Sequence, residues 1–178
     1  MGVIHKAIGV LVCVFVLAGA GCVFKKAQSI GVMSYRGGRV FLQNRKYYRV
    51  GILPEGWRRM DTKARAVSWY NESYKSSITT DAFCGKSFSD RPLDTLAGEL
   101  SSALSNDRTT TSSQKMMLDE RGALRLSVTG TMDGVTVVMD IVVVKKDGCN
   151  FDFVAVMPPD APDQVISDFE AFFMGFHY

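Results

Sequence analysis

Histidine is almost absent from this chain. His5 and His177, one near each end, are the two among 178 residues. That removes multi-histidine metal centres and leaves any histidine-dependent triad resting on a terminus, where a solvated side chain is expected. A phosphate loop, a Gly-x-Gly-x-x-Gly stretch and a Gly-x-Ser-x-Gly nucleophile turn are all missing. Asp81, Asp90, Asp133, Asp140, Asp147 and Asp152 lack the close spacing of a calcium loop. They read as turn residues and exposed-sheet residues, with Asp140 the exception among apolar neighbours. A charge there needs a partner, and Arg125 on the adjacent strand is the cross-strand candidate. No repeat and no long low-complexity segment occurs. Net charge is +3, too small by itself to argue for nucleic acid. These gaps favour binding over catalysis: no catalytic residue, metal ligand or cofactor is assigned.

What is present begins with an address. Lys6 is followed by an apolar run from Ala7 to Val16, shorter than the roughly 20 residues that span a bilayer. Leu17-Ala18-Gly19-Ala20-Gly21-Cys22 then closes the segment with small residues and a cysteine. This is the layout of a secretory signal. It resembles the bacterial lipoprotein signal, whose lipobox ends in the cysteine that becomes the acylated first residue. Ala20, Gly21 and Cys22 match the last positions of that box, while Gly19 stands where an aliphatic residue is usual. The resemblance implies cleavage after residue 21, lipidation of Cys22, and a membrane tether facing the periplasm. Val23 after the cysteine resembles the outer-membrane case. Buried acyl chains contribute roughly 0.8 kcal/mol per methylene, which makes multiple acylation a lasting anchor. An exported chain is a poor fit to nucleic acid.

Loss of residues 1–21 removes His5 and Cys13 and leaves Cys22, Cys84 and Cys149. In an oxidising compartment Cys84 and Cys149 can form a disulfide or stand as two separate buried thiols, and the sequence leaves both open. Lys86 follows Cys84 closely enough to favour a thiolate there, a third and weaker reading.

The rest of the chain divides into a tether at 22–37 and one domain at 38–178. Val40–Leu42 and 47–53 read as strands joined by the turn Gln43–Lys46, and Pro54-Glu55-Gly56-Trp57 stops the second. Val67–Tyr70 and Ser77–Phe83 are the next extended runs. Pro92 opens a helix in which Leu93, Leu96, Ala97, Leu100, Ala103 and Leu104 share one face. Four β-rich runs follow, at 115–119, 123–131, 135–145 and 150–157. Asp133-Gly134 and Asp147-Gly148 are strong hairpin turns, because both residues tolerate positive φ. Leu124, Leu126 and Val128 alternate with polar residues, as in a strand with one wet face, whereas Val135–Val144 reads as covered on both faces. Val165, Phe169, Phe172, Phe173 and Phe176 lie on one face of a closing helix. The expected class is α+β, an antiparallel meander flanked by helices.

The stretch Tyr48-Arg49-Val50-Gly51-Ile52-Leu53-Pro54-Glu55-Gly56-Trp57, the helix from Leu93, the meander and the aromatic helix resemble, in that order, the PsbP-like fold. That fold is named for the extrinsic photosystem II protein P. The resemblance covers roughly residues 38–178. It implies a sandwich, no shared catalytic residue, and a binding or assembly role.

Charge is unevenly spread along the chain. Residues 22–75 hold 12 basic and 3 acidic side chains, a net of +9, and residues 76–178 hold 8 and 15, a net of −7. Two arrangements fit: a basic surface that meets anionic headgroups or an acidic partner, or strands that interleave so the charges cancel. The expected contact region is the basic aromatic hairpin of Arg45, Lys46, Tyr48, Arg49, Trp57, Arg58 and Arg59. The leading expectation is a lipid-anchored envelope protein that binds a partner protein as an accessory or assembly factor. The alternative is a small apolar ligand or lipid held between sheet and helix, beneath Phe169 and Phe173.

Overall fold

The computed structural model describes residues 30–61, 66–85, 91–105 and 107–178. Its elements, in order, are β1 (Val32–Arg36), β2 (Arg39–Leu42), β3 (Tyr47–Arg49), β4 (Trp57–Met60), β5 (Val67–Asn71) and β6 (Ser76–Cys84). Then come α1 (Leu93–Leu100), a 3-10 turn (Ser101–Ala103), β7 (Thr109–Leu118), β8 (Arg121–Met132), β9 (Val135–Lys146), β10 (Cys149–Met157) and α2 (Asp163–Met174). β1, β2 and β3 form one antiparallel sheet, and the other seven strands form a second in the order β4-β5-β6-β10-β9-β8-β7. The chain is α+β, as its periodicity implies.

Hairpin chemistry sets the meander. Asp133 and Gly134 adopt φ of 50° and 82°, and Asp147 and Gly148 adopt 49° and 75°. This double positive φ matches the right-handed twist of flanking strands. The turn before β8 differs from expectation: it uses Asp119 and Glu120, at φ 47° and 63°, and Gly122 lies within the strand.

Each face of the large sheet has its own cover. Alternation along β9 sends Met139, Ile141 and Val143 to one face, under α1, with Leu96, Ala97, Leu104, Leu124 and Val128. Val142 and Val144 go to the other, into the main core with Phe151, Phe153, Phe169, Phe172 and Phe173. The small sheet and α2 cover that face. Strand β9 is therefore buried from Met139 to Val144, but the double cover expected from Val135 onward begins only there: Val135 is exposed and Val137 and Val138 are half-buried.

Several expectations are corrected. The tether does not extend to residue 37: Val32–Arg36 is β1, and Ile30 bridges Cys84 through N–H···O bonds of 3.2 and 3.0 Å. The second strand ends at Arg49 and not at residue 53, because Gly51 passes beneath α2. Its N–H donates to the Phe172 carbonyl at 2.8 Å, and a Cβ there would run into the Ala171 carbonyl and Phe172 Cα. Trp57 does not merely follow a stop; it begins β4. The first β-rich run after α1 begins at Thr109, well before residue 115.

The far end of the chain is held in place. Arg49 and His177 exchange backbone bonds of 2.8 and 3.2 Å, which sets His177 beside β3. Asp119 accepts from Lys146 Nζ at 2.5 Å and Tyr178 N–H at 2.9 Å, and bonds His177 Nδ1 at 2.8 Å. Burial works to raise the Asp119 pKa, but these partners outweigh it and hold it at about 2. His177 is thus solvated, as expected, yet held in place by its backbone and its ring nitrogen.

Candidate functional site

The outer face of the small sheet carries the candidate site. Register places Arg36 opposite Arg39 and Arg39 opposite Arg49, so three guanidinium groups share one row across β1, β2 and β3. The adjacent row is Ser34, Phe41 and Tyr47. The residues between point inward: Val40 and Tyr48 are fully buried, and Tyr35 packs edge-on against Trp69 at 4.9 Å. This is the ordinary two-residue alternation of a half-buried sheet. Arg39 also stacks over the Tyr47 ring at 5.1 Å, which braces its charge outward. Tyr47 is 42% exposed, and Met33, displaced by a bulge in β1, is 64% exposed.

The turn Gln43–Lys46 extends this basic face. Arg45 is exposed at φ 68°, and Lys46 lies 5.5 Å from the Tyr178 ring. Arg36, Arg39, Arg45, Lys46, Arg49 and Arg59 form no ion pair with any described residue. The two charge halves do share the large sheet, where β5 pairs β6. The outer face of the small sheet, however, draws only on the basic half.

The expected contact set splits accordingly. Arg45, Lys46 and Arg49 lie on this face, while Tyr48 and Trp57 do not. Tyr48 is fully buried against Phe151 and Phe176 and shares a 2.9 Å hydrogen bond with Thr80. Burial pushes its phenol well above the ordinary range, so it stays neutral. Trp57 is 8% exposed, and its Nε1–H donates to Asp168 Oδ2 at 2.8 Å. Both are core residues. Arg59 reaches the rim, where it donates to the Tyr35 carbonyl at 3.3 Å and stacks on that ring at 5.9 Å. Arg58 alternates to the opposite face of β4 and meets Glu72 at 3.6 Å.

Arg36 and Arg39 are the residues that the hairpin-centred expectation misses. Their signal was available: Arg-Val-Phe-Leu and Tyr-Tyr-Arg each alternate, so assigning Arg49 outward forces Tyr48 inward and Arg39 outward.

The remaining candidates are structural. Cys22 lies outside the described residues. Cys84 and Cys149 face each other in the β6–β10 ladder and are joined in a disulfide, which leaves no thiol at Cys84. Asp140 pairs with Arg125 as expected, Nη2 to Oδ2 at 2.6 Å, and Arg125 Nη1 also meets Glu170 of α2 at 2.6 Å. The Asp140 and Glu170 hydrogen bonds outweigh burial and raise the Arg125 pKa further. Phe169 and Phe173 are buried in the main core, with Val165, Phe153 and Phe172. Among the described residues no three potential ligands converge on a metal, and no helix is long and apolar enough to cross a membrane.

The architecture has known parallels. Cyanobacterial PsbP (CyanoP) from Synechocystis sp. PCC 6803 superposes with a TM-score of 0.52 and 17% identity, over 90% of this chain and 98% of that one. The fold is PsbP-like. LpqN, involved in cell envelope biogenesis of Mycobacterium tuberculosis, is similar with a TM-score of 0.52 and 14% identity, over 85% of this chain and 90% of that one. A Bacteroides thetaiotaomicron structure also scores 0.52 at 13% identity; the match covers 73% of this chain and 44% of that longer one. No family model matches the sequence, and no curated protein matches it.

Proposed function

We propose that this protein is a lipoprotein of the bacterial cell envelope, acylated at Cys22, whose PsbP-like domain binds a partner protein as a non-catalytic accessory factor. The observation that carries the reading is the Arg36–Arg39–Arg49 row, three arginines side by side without an acidic partner among the described residues. Like charges in one row repel, so their retention on an open face favours an acidic partner that would relieve the repulsion. Phe41, Tyr47 and Met33 supply apolar contact beside them. Seven residues lie between Cys22 and Ile30. At most about 3.5 Å per residue, that holds the domain within ~30 Å of a membrane. Likeness to LpqN supports an envelope role, and Val23 supports the outer membrane.

The test is a photo-crosslinking residue at Tyr47 in living cells. A discrete protein adduct is expected, and it should vanish when Arg36, Arg39 and Arg49 are together changed to Gln. An adduct that is indifferent to the three arginines removes this face as the contact surface. Separately, a Cys22→Ala chain that stays membrane-bound after signal cleavage would sink the anchor.

A second reading, an apolar ligand between sheet and helix, moves from α2 to α1. A groove of about 560 Å³ there runs between Leu93 and Asp94 of α1 and Met117 and Leu124 of the sheet. Met117 is 65% exposed in it. A fatty-acid probe that protects Met117 from oxidation would favour this reading, and unchanged oxidation would count against it.

A further inference from the structure

The other flank of α1 holds a second, smaller cleft of about 240 Å³, between the helix and strands β6 and β10. Phe83, Leu96, Leu100 and Asp152 are among the residues that line it. The sequence places Asp152 among solvated aspartates, but the structure buries it. It is 8% exposed, and its side chain makes no hydrogen bond or ion pair with a described residue. Asp81 stands directly opposite it across the β6–β10 ladder. Burial first, then the charge of Asp81, pushes its pKa up to about 7.

Among the described residues no cation meets this carboxylate, and the described cations beside it are engaged elsewhere. Arg91 at the rim is ion-paired with Glu99 of α1. The Lys145 ammonium on β9 donates to the Arg91 carbonyl at 2.8 Å. A buried carboxylate without a partner is costly, and a cation with N–H donors satisfies both its charge and its lone pairs. The walls ask in addition for an apolar stem. The volume equals about eight waters, room for a four-carbon chain. An anion is excluded by the two aspartates, and a metal ion by the want of a third ligand among the described residues.

We propose that this cleft binds a primary alkylammonium ion, its ammonium on Asp152 and its stem along Phe83, Leu96 and Leu100. The site is separate from the basic face and from any protein partner bound there.

Methyl NMR on the full chain in non-ionic detergent tests it, with n-butylammonium chloride as probe in mildly alkaline buffer. The Leu96 and Leu100 methyl signals should shift and saturate below about 10 mM. Neither n-butanol, which has the stem without charge, nor tetramethylammonium, which has charge without N–H donors, should saturate. Asp152→Asn should weaken binding about tenfold or more, the worth of one charge-assisted hydrogen bond. Leu100→Trp fills the cleft while leaving Asp152 in place, and should do the same. It decides the matter if Asp152→Asn does not fold. Absence of a saturable shift at Leu96 and Leu100 overturns the proposal. So does equal binding of n-butanol, or full-strength binding by both variants.

Discussion

Trp57 and Asp168, 111 positions apart, share a buried hydrogen bond of 2.8 Å that ties the edge strand β4 to helix α2. Gln164 Nε2 donates to the other Asp168 oxygen at 2.7 Å, so both oxygens of this carboxylate are used. A residue expected at a contact surface is instead part of the frame. Asp168→Ala leaves the Trp57 N–H buried without an acceptor and should cost about 1–3 kcal/mol in urea unfolding. Trp57→Phe should destabilise the protein yet leave the Tyr47 crosslink intact. Loss of that crosslink in a folded Trp57→Phe protein would return Trp57 to the contact surface.

Arg125, Asp140 and Glu170 form a network whose members differ in burial. The Asp140 side chain is 3% exposed and that of Glu170 is 47% exposed. Arg125→Ala therefore strands a buried charge and should cost about 3–5 kcal/mol. Glu170→Gln removes a partner that water can replace and should cost under about 1 kcal/mol. Equal losses in equilibrium unfolding would contradict this ranking.

Asp119 makes stability depend on acid. Its folded pKa of about 2 lies below the ordinary value of about 3.9, so the folded state favours the anion. That contribution is complete above the ordinary value and fades as pH falls through it toward the folded pKa. Asp119→Asn should be less stable than the parent at neutral pH, by about 1–3 kcal/mol. The gap should narrow in this acid window, and a constant gap would place its cause elsewhere. Asparagine tolerates positive φ, so the turn itself is not at issue.

Gly51 is required by close approach. Its hypothetical Cβ meets the backbone of Ala171 and Phe172, and Gly175 faces Gly51 across the same contact. Gly51→Ala should cost about 1–3 kcal/mol, because backbone must move to admit the methyl group. Thermal unfolding measures it, and an unchanged midpoint would show that α2 can shift freely.

The disulfide joins residues separated by 65 positions. Restriction of the unfolded chain over such a loop is worth up to about 4 kcal/mol in the entropy model. The Cys84→Ser and Cys149→Ser double variant should fold to the same sheet with a lower unfolding midpoint. Two free thiols titrated in the unreduced, unfolded parent would show that the bond does not form.

Much of this fold was legible because its signals are local. Asp133-Gly134 and Asp147-Gly148 declare hairpins through their own φ preferences, and spacing alone declares the helix from Val165 to Phe173, though Phe176 lies past its end at Met174. The candidate site was half legible. Its basic character shows in composition, but composition is blind to sheet face. Tyr48 and Trp57 look like contact aromatics until alternation turns them inward, and Arg58 looks like a neighbour of Arg59 until the pleat separates them.

By itself, then, the sequence determined the α+β class, the two helices, the strands of the second half, the two Asp-Gly turns and the surplus of positive charge before residue 76. Backbone conformation and periodicity depend on near neighbours, and a single chain displays them. Tertiary structure alone decided that Cys84 meets Cys149, that Asp81 faces Asp152, and that Arg36, Arg39 and Arg49 form one row. Each is a matter of strand register, which is set by which faces bury together, and no residue carries that information apart from its distant partners.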